Sequence, residues 1–135
     1  MKKLFFSLTV ILLFSCTGFS QSPKAGDKNK PEMTFKEVEH DFTNVPYDGN
    51  GTFDFAFKNT GKEAVIIQNV TTSCGCTASE WSKEPYKKGA TGVIKVKYNT
   101  KIVGNFQKTI TVYSNAKNSP VTLRIKGSVE PMKAK

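Results

Sequence analysis

Alternation of apolar and polar residues is the strongest signal in this chain. In Thr52-Phe53-Asp54-Phe55-Ala56-Phe57-Lys58 three phenylalanines share one side and polar or small residues the other, the period-two signature of a half-buried strand. Asn59-Thr60-Gly61-Lys62 then supplies turn chemistry, and Ala64-Val65-Ile66-Ile67 begins a further strand rich in β-branched residues. Val93 to Tyr98 directs Ile94, Val96 and Tyr98 inward against Lys95 and Lys97. Phe106, Ile110 and Val112 mark another strand, in which Lys108 breaks the inward row, and Leu123 with Ile125 marks the last. Met33 to Glu39 and His40 to Asn44 supply an opening strand or two. Glycines at 49, 51, 61, 89, 92 and 104 and the stretch Asn115 to Pro120 punctuate these runs. No amphipathic helix competes. The pattern predicts an all-β, immunoglobulin-like sandwich of about seven strands in about 100 residues. Cys74 and Cys76 are too close in sequence to join distant strands, and Trp81 lies in an irregular stretch, so the core is expected to rest on phenylalanine packing.

The N-terminus reads differently. Lys2 and Lys3 precede the apolar run Leu4 to Phe14, which is too short to span a bilayer, a task needing about 20 residues, and fits the body of a signal peptide. Two ends compete. Gly18 and Ser20 place a general cleavage site before Gln21, giving a signal over 1–20. Leu13-Phe14-Ser15-Cys16 resembles a lipobox, giving a signal over 1–15 and a lipidated Cys16 whose acyl chains would tether the protein to a membrane. Residues 21–31 form a flexible polar linker, 32–130 the sandwich domain, and 131–135 a basic tail. The expected location is outside the cytoplasm: periplasmic, outer-membrane-associated or extracellular.

Composition narrows the function. At 135 residues with 38% hydrophobic positions the chain builds one core, which excludes a multidomain enzyme. The net charge of +9 comes from 20 basic and 11 acidic side chains, and the chain remains basic without Lys2 and Lys3. Its lysines are spread along the strands and not gathered in one run. With export, this argues against nucleic acid and toward anionic lipid, lipopolysaccharide or an acidic glycan as the partner of the charge. The only histidine is His40, and neither a serine elbow, paired metal histidines nor a phosphate-binding glycine loop is present. No catalytic residues and no organic cofactor are expected.

Cys74-Gly75-Cys76 is the unusual chemical feature. An exported protein oxidises its cysteines, and the odd Cys16 leaves with the signal or carries lipid. Residues i and i+2 of a strand lie about 6.5 to 7 Å apart, at the upper limit for a disulfide, so closure needs a bend that Gly75 permits. Three readings stay open. The pair is a structural disulfide; or a small, strained and labile ring active in thiol redox exchange, the one enzymatic alternative; or a pair of thiolates carrying a soft metal, copper or zinc, completed by His40, Met33 or Met132. Separately, Trp81, Lys83, Pro85, Tyr86, Lys87 and Lys88 compose an aromatic and basic loop suited to a sugar polymer or a protein partner. Its plain alternative is that Trp81 and Tyr86 cover one end of the sandwich. His40 and Asp41, as strand neighbours, point to opposite faces and do not form a catalytic pair.

The order His40-Asp41-Phe42, Phe55-Ala56-Phe57-Lys58-Asn59-Thr60-Gly61 and Ser73-Cys74-Gly75-Cys76-Thr77, with Trp81 and Pro85 following, resembles the exported bacterial family catalogued as domain of unknown function 1573. Gly104, Ile110-Thr111-Val112, Ser114-Asn115 and Leu123-Arg124-Ile125-Lys126-Gly127 extend the likeness over about residues 33 to 129. The resemblance implies an immunoglobulin-like sandwich related to abnormal-spindle and Hydin-type domains, exported, with no established activity. Two positions depart from the pattern: Thr43 stands where glycine is frequent after Asp-Phe, and Lys87-Lys88-Gly89 replaces a commoner Pro-Gly turn. The expectation is an exported, monomeric, non-enzymatic module that binds an envelope protein or glycan. Its contact end is expected to combine Trp81, Tyr86, Lys87 and Lys88 with the Cys74 region. The alternative is a thiol-redox or soft-metal carrier using Cys74 and Cys76.

Overall fold

The computed structural model describes residues 28–134, so the expected signal peptide, Cys16 and most of the expected linker lie outside the described residues. Eight strands form: β1 (Met33–Phe35), β2 (Glu39–Val45), β3 (Thr52–Asn59), β4 (Ile67–Thr72), β5 (Thr77–Glu80), β6 (Thr91–Tyr98), β7 (Gly104–Ser114) and β8 (Val121–Val129). They make two four-stranded sheets, ordered β1-β3-β6-β5 and β2-β8-β7-β4. All pairings are antiparallel except β2 with β8, which is parallel. The all-β sandwich expected from the alternation is therefore the observed fold, with eight strands in place of about seven.

The extra strand is β5 (Thr77–Glu80), which pairs with β6, while the opening segment supplies two strands that lie in different sheets. The Lys36 N–H still reaches the Ala56 carbonyl beside β3, at 2.9 Å, and the chain then crosses to the other sheet and begins β2. The Ala64–Ile67 run is also corrected. Val65 exchanges both backbone hydrogen bonds with Tyr86, at 2.9 and 2.8 Å, so pairing with β7 starts only at Ile67.

Between the sheets lie Phe55, Phe57, Ile94, Val96 and Tyr98 from one side and Ile67, Val70, Ile110, Val112, Leu123, Ile125 and Val129 from the other. The centre is thus largely aliphatic, which corrects the expectation of a core held by phenylalanines. Phe35, Phe42 and Phe53 are only partly buried at its margins. Ring stacking still joins the sheets, where Tyr98 stacks on Phe106 with ring centroids 3.9 Å apart and His40 on Phe53 at 3.6 Å. Isoleucine, valine and leucine fill the space between two pleated faces with few rotamers to lose.

Both departures from the family pattern acquire a backbone reason. Thr43 has φ of 56° at the irregularity of β2 between Asp41 and Asn44. The Asp41 carboxylate accepts the Thr43 N–H at 2.7 Å, which helps hold this conformation. A β-branched residue in the left-handed region is strained, and glycine is not. Lys87 to Ala90 is a turn closed by the Ala90 N–H on the Lys87 carbonyl at 2.9 Å, with Gly89 at φ of 76° in its third position. That is the type II arrangement, whose second position favours proline. Thr43→Gly should stabilise the domain by about 1 kcal/mol and raise Tm by several degrees, whereas Thr43→Ala, which keeps a Cβ, should gain much less. Lys88→Pro should add about 0.5 kcal/mol. Thermal unfolding of the three variants checks both.

Candidate functional site

Asn59, the last residue of β3, is fully buried, and every polar group it carries is engaged. Its N–H donates to the Ala90 carbonyl at 2.9 Å and its own carbonyl accepts the Gly89 N–H at 2.8 Å. Its side-chain Nδ2 donates to the carbonyls of Glu63 at 2.7 Å and Tyr86 at 2.9 Å. Oδ1 accepts from the Gly61 N–H at 3.0 Å and, more weakly, from the Glu32 N–H at 3.4 Å. One amide therefore joins the turn after β3 to the turn before β6. A buried amide with all partners satisfied is stable, and with any removed it carries a desolvation cost.

The two joined turns bear lysines. Lys58, Lys62, Lys87 and Lys88 are all exposed at this end of the sandwich. Among the described residues none of the four reaches a carboxylate within ion-pair distance, although Glu63 shares the turn. Three lysines elsewhere do reach carboxylates: Lys117 pairs with Glu32 at 2.9 Å, Lys126 with Glu39 at 2.6 Å and Lys101 with Asp48 at 3.8 Å. The hydrogen bond and charge of Glu39 raise the Lys126 pKa above its ordinary value.

Tyr86 and Trp81 pin the loop that leads into this end. The Tyr86 ring meets Phe57 edge-on at 4.9 Å, and this approach requires Gly92, because a Cβ there would collide with both rings. Trp81 is half-buried against the core with its Nε1 unpartnered. Lys83, Glu84, Pro85, Lys87 and Lys88 are left facing solvent.

The cysteines lie at the opposite end. Residues 73–76 form the corner between β4 in one sheet and β5 in the other. Cys74 and Cys76 are joined in a disulfide with Cα atoms 5.4 Å apart, shorter than the strand spacing expected because the chain bends here. Thr72 Oγ1 donates to the carbonyls of Cys74 at 2.9 Å and Thr77 at 3.2 Å, and the Asn99 N–H donates to the Cys76 carbonyl at 2.9 Å. The Thr77 hydroxyl is buried without a partner. The turn at Gly89 and the corner at Cys76 lie beyond opposite ends of β6, whose eight residues span roughly 25 Å. The expected single contact end made from Trp81, Tyr86, Lys87, Lys88 and the Cys74 region is therefore two separate ends.

The proposed metal set does not assemble. His40 lies on β2 and Cys74 follows β4, at opposite edges of one sheet, roughly 14 Å apart by strand spacing alone. His40 stacks on Phe53 at 3.6 Å and meets Phe42 edge-on at 4.7 Å, so its ring closes the flank of the sandwich. Met33 is buried in the core and Met132 is in the exposed C-terminal segment. The sulfurs bond to each other, and among the described residues no group of three His, Cys, Asp or Glu side chains is placed to hold an ion. Sequence reading took Asn59 for a turn residue and missed its role. The signal available was an asparagine at a position where alternation places an inward side chain, two residues after Phe57.

Asn59→Ala should destabilise the domain by about 3 kcal/mol, since it strands buried partners at two turns. Asn59→Asp should be as damaging, because it replaces the Nδ2 donor by a second acceptor. Denaturant unfolding measures both, and a loss below about 1 kcal/mol would remove Asn59 as the clamp.

Comparison with known proteins agrees with the fold. Among solved structures the fold resembles a protein of unknown function from Porphyromonas gingivalis W83, with TM-score 0.67 and 11% identity over 80% of this chain and 51% of that one. The chain thus spans about half the length of that relative. It also resembles the ASH/PapD-like domain 7 of human CEP192, with TM-score 0.64 and 5% identity over 78% and 89% of the two chains. A third likeness is to the CsuC-CsuE chaperone-tip adhesion subunit complex of Acinetobacter baumannii, with TM-score 0.51 and 8% identity over 73% and 57%. At these identities the likeness is one of fold alone. No curated protein matches the chain. Residues 33–129 match the family described as protein of unknown function (DUF1573), and the chain belongs to that family.

Proposed function

We propose that the protein is an exported, monomeric, non-enzymatic binding module of the bacterial cell envelope, and that its basic end is the contact surface. One observation carries this reading: Asn59 clamps two lysine-bearing turns side by side, so that Lys58, Lys62, Lys87 and Lys88 stand together, exposed and uncompensated, on a rigid base. Holding like charges together costs energy, and an anionic partner recovers it. Prior ordering of the loop by Trp81 and Tyr86 lowers the entropy lost on binding. The partner class is an acidic glycan or an acidic face of an envelope protein. Sandwiches of similar fold occur in a chaperone bound to an adhesion subunit, which supports a protein-binding use of the architecture.

Export is supported by Lys2, Lys3 and the apolar run that follows, and by a disulfide, which persists in oxidising compartments. His40 supports a non-enzymatic role, since its ring is committed to Phe53 and Phe42.

Lys62→Glu, Lys87→Glu and Lys88→Glu combined should lower retention on isolated bacterial envelopes about tenfold at low salt while leaving Tm within about 2 °C. Retention of the unaltered protein should itself fall as salt rises. Equal retention of both proteins would overturn the basic end as the contact surface. Intact mass of protein recovered from envelopes should begin at acylated Cys16 or at Gln21. A chain still carrying Lys2 and Lys3 would overturn processing and export.

A further inference from the structure

The two sulfurs of the Cys74–Cys76 disulfide are chemically unequal. Cys74 Sγ accepts the backbone N–H of Cys76 at 3.3 Å, a donor that stabilises negative charge on that sulfur. Cys76 packs partly against the core and borders an open depression of about 220 Å³ lined by Gly75, Cys76, Ala78, Lys97, Tyr98 and Asn99. A Cβ built on Gly75 would meet no atom within 4 Å, so the corner faces open space at Gly75. Lys97 is exposed and makes no ion pair among the described residues, and its cross-strand neighbours Thr52 and Ala78 are uncharged. Lys97 therefore lines the depression as a cation without an ion pair, and on its other side it borders a second depression shared with Glu80 and Lys95.

The disulfide is poorly suited to a purely structural role. It closes a loop with one intervening residue, and short loops restrain the unfolded chain least. The corner is already tied by the Thr72 hydroxyl and the Asn99 N–H.

We propose that Cys74–Cys76 is a thiol–disulfide exchange site that accepts two electrons from a dithiol-bearing protein or peptide. The first thiolate of the partner enters the depression beside Lys97 and attacks Cys76 Sγ. A partner–Cys76 disulfide forms, the Cys74–Cys76 bond breaks, and Cys74 leaves as a thiolate held by the Cys76 N–H. The partner's second thiolate then attacks its own sulfur in the mixed disulfide. A disulfide forms within the partner, the bond to Cys76 breaks, and Cys76 leaves as a thiolate. The partner dithiol is oxidised, this chain's disulfide is reduced, and the two thiolates take up the protons released by the partner thiols. The exchange as written is stoichiometric and consumes this chain's disulfide, so it stands beside a non-enzymatic binding role; the site is apart from the basic end, and the failure of either assignment leaves the other intact.

The test treats the oxidised protein with reduced glutathione, quenches with acid, blocks free thiols with N-ethylmaleimide and maps the adducts by peptide mass. Glutathione should be found on Cys76 and maleimide on Cys74, in roughly tenfold excess over the reverse. A synthetic peptide carrying two reduced cysteines should be oxidised mole for mole without air, and the Cys74→Ser, Cys76→Ser protein should oxidise none. Lys97→Glu, on an exposed strand position, should slow the glutathione reaction roughly threefold with Tm unchanged. A disulfide that survives roughly a hundredfold excess of glutathione, or adducts shared equally between the two cysteines, would overturn the proposal. A Lys97→Glu protein that reacts at the unaltered rate would overturn the part given to Lys97.

Discussion

A buried amide must find partners for both its donors and its acceptor, and at Asn59 that requirement organises one end of the sandwich. The amide lies where β3 leaves the sheet, and its partners are backbone groups of Gly61, Glu63 and Tyr86. Those groups belong to loops that would otherwise be free to separate. Because a buried amide without partners is costly, the loops are held at fixed distances from one another. The close approach of Tyr86 to Phe57 over Gly92 follows from the same arrangement. So does the placement of Lys62, Lys87 and Lys88 on the two joined turns.

The other end is organised by a corner. After β4 the chain must leave one sheet and enter the other at β5, and it does so within the four residues 73–76. A bend that tight brings Cys74 and Cys76 close enough to bond and turns Gly75 outward. The disulfide thus sits where chain direction changes and where backbone N–H groups of Cys76 and Asn99 are available to sulfur and carbonyl. One end of the molecule carries exposed lysines on two clamped turns, and the other carries the disulfide beside Lys97. The length of β6 separates the two.

The flank closed by β2 has a third character. β2 runs parallel to β8 and is irregular at Thr43, His40 covers Phe53, and Lys126 bridges Glu39 and Asp41 at 2.6 and 3.9 Å. A bulge, charged side chains and a short partner strand in the facing sheet are devices that discourage edge-to-edge association. The frequent family glycine after Asp-Phe now has a reason in the φ of Thr43, and the carboxylate of Asp41 partly offsets the strain of the threonine.

Fold class was legible in the sequence because period-two alternation depends only on neighbours along the chain: Phe55 and Phe57, Ile94 and Val96, Leu123 and Ile125 each announce which side they bury. The bend at Gly75 and the turn at Gly89 were legible for the same local reason. What the sequence could not state was which distant segments meet. The splitting of the opening run between two sheets, the aliphatic centre, the distance between His40 and the cysteines, and the separation of Cys74 from Lys87 all depend on strand order. Asn59 shows the limit most plainly. Its local context reads as a turn, and only the return of Tyr86 and Gly89 to its side, from about thirty residues downstream, makes it the buried hub. Local stereochemistry determined the strands, and long-range burial of backbone polar groups decided how they were joined.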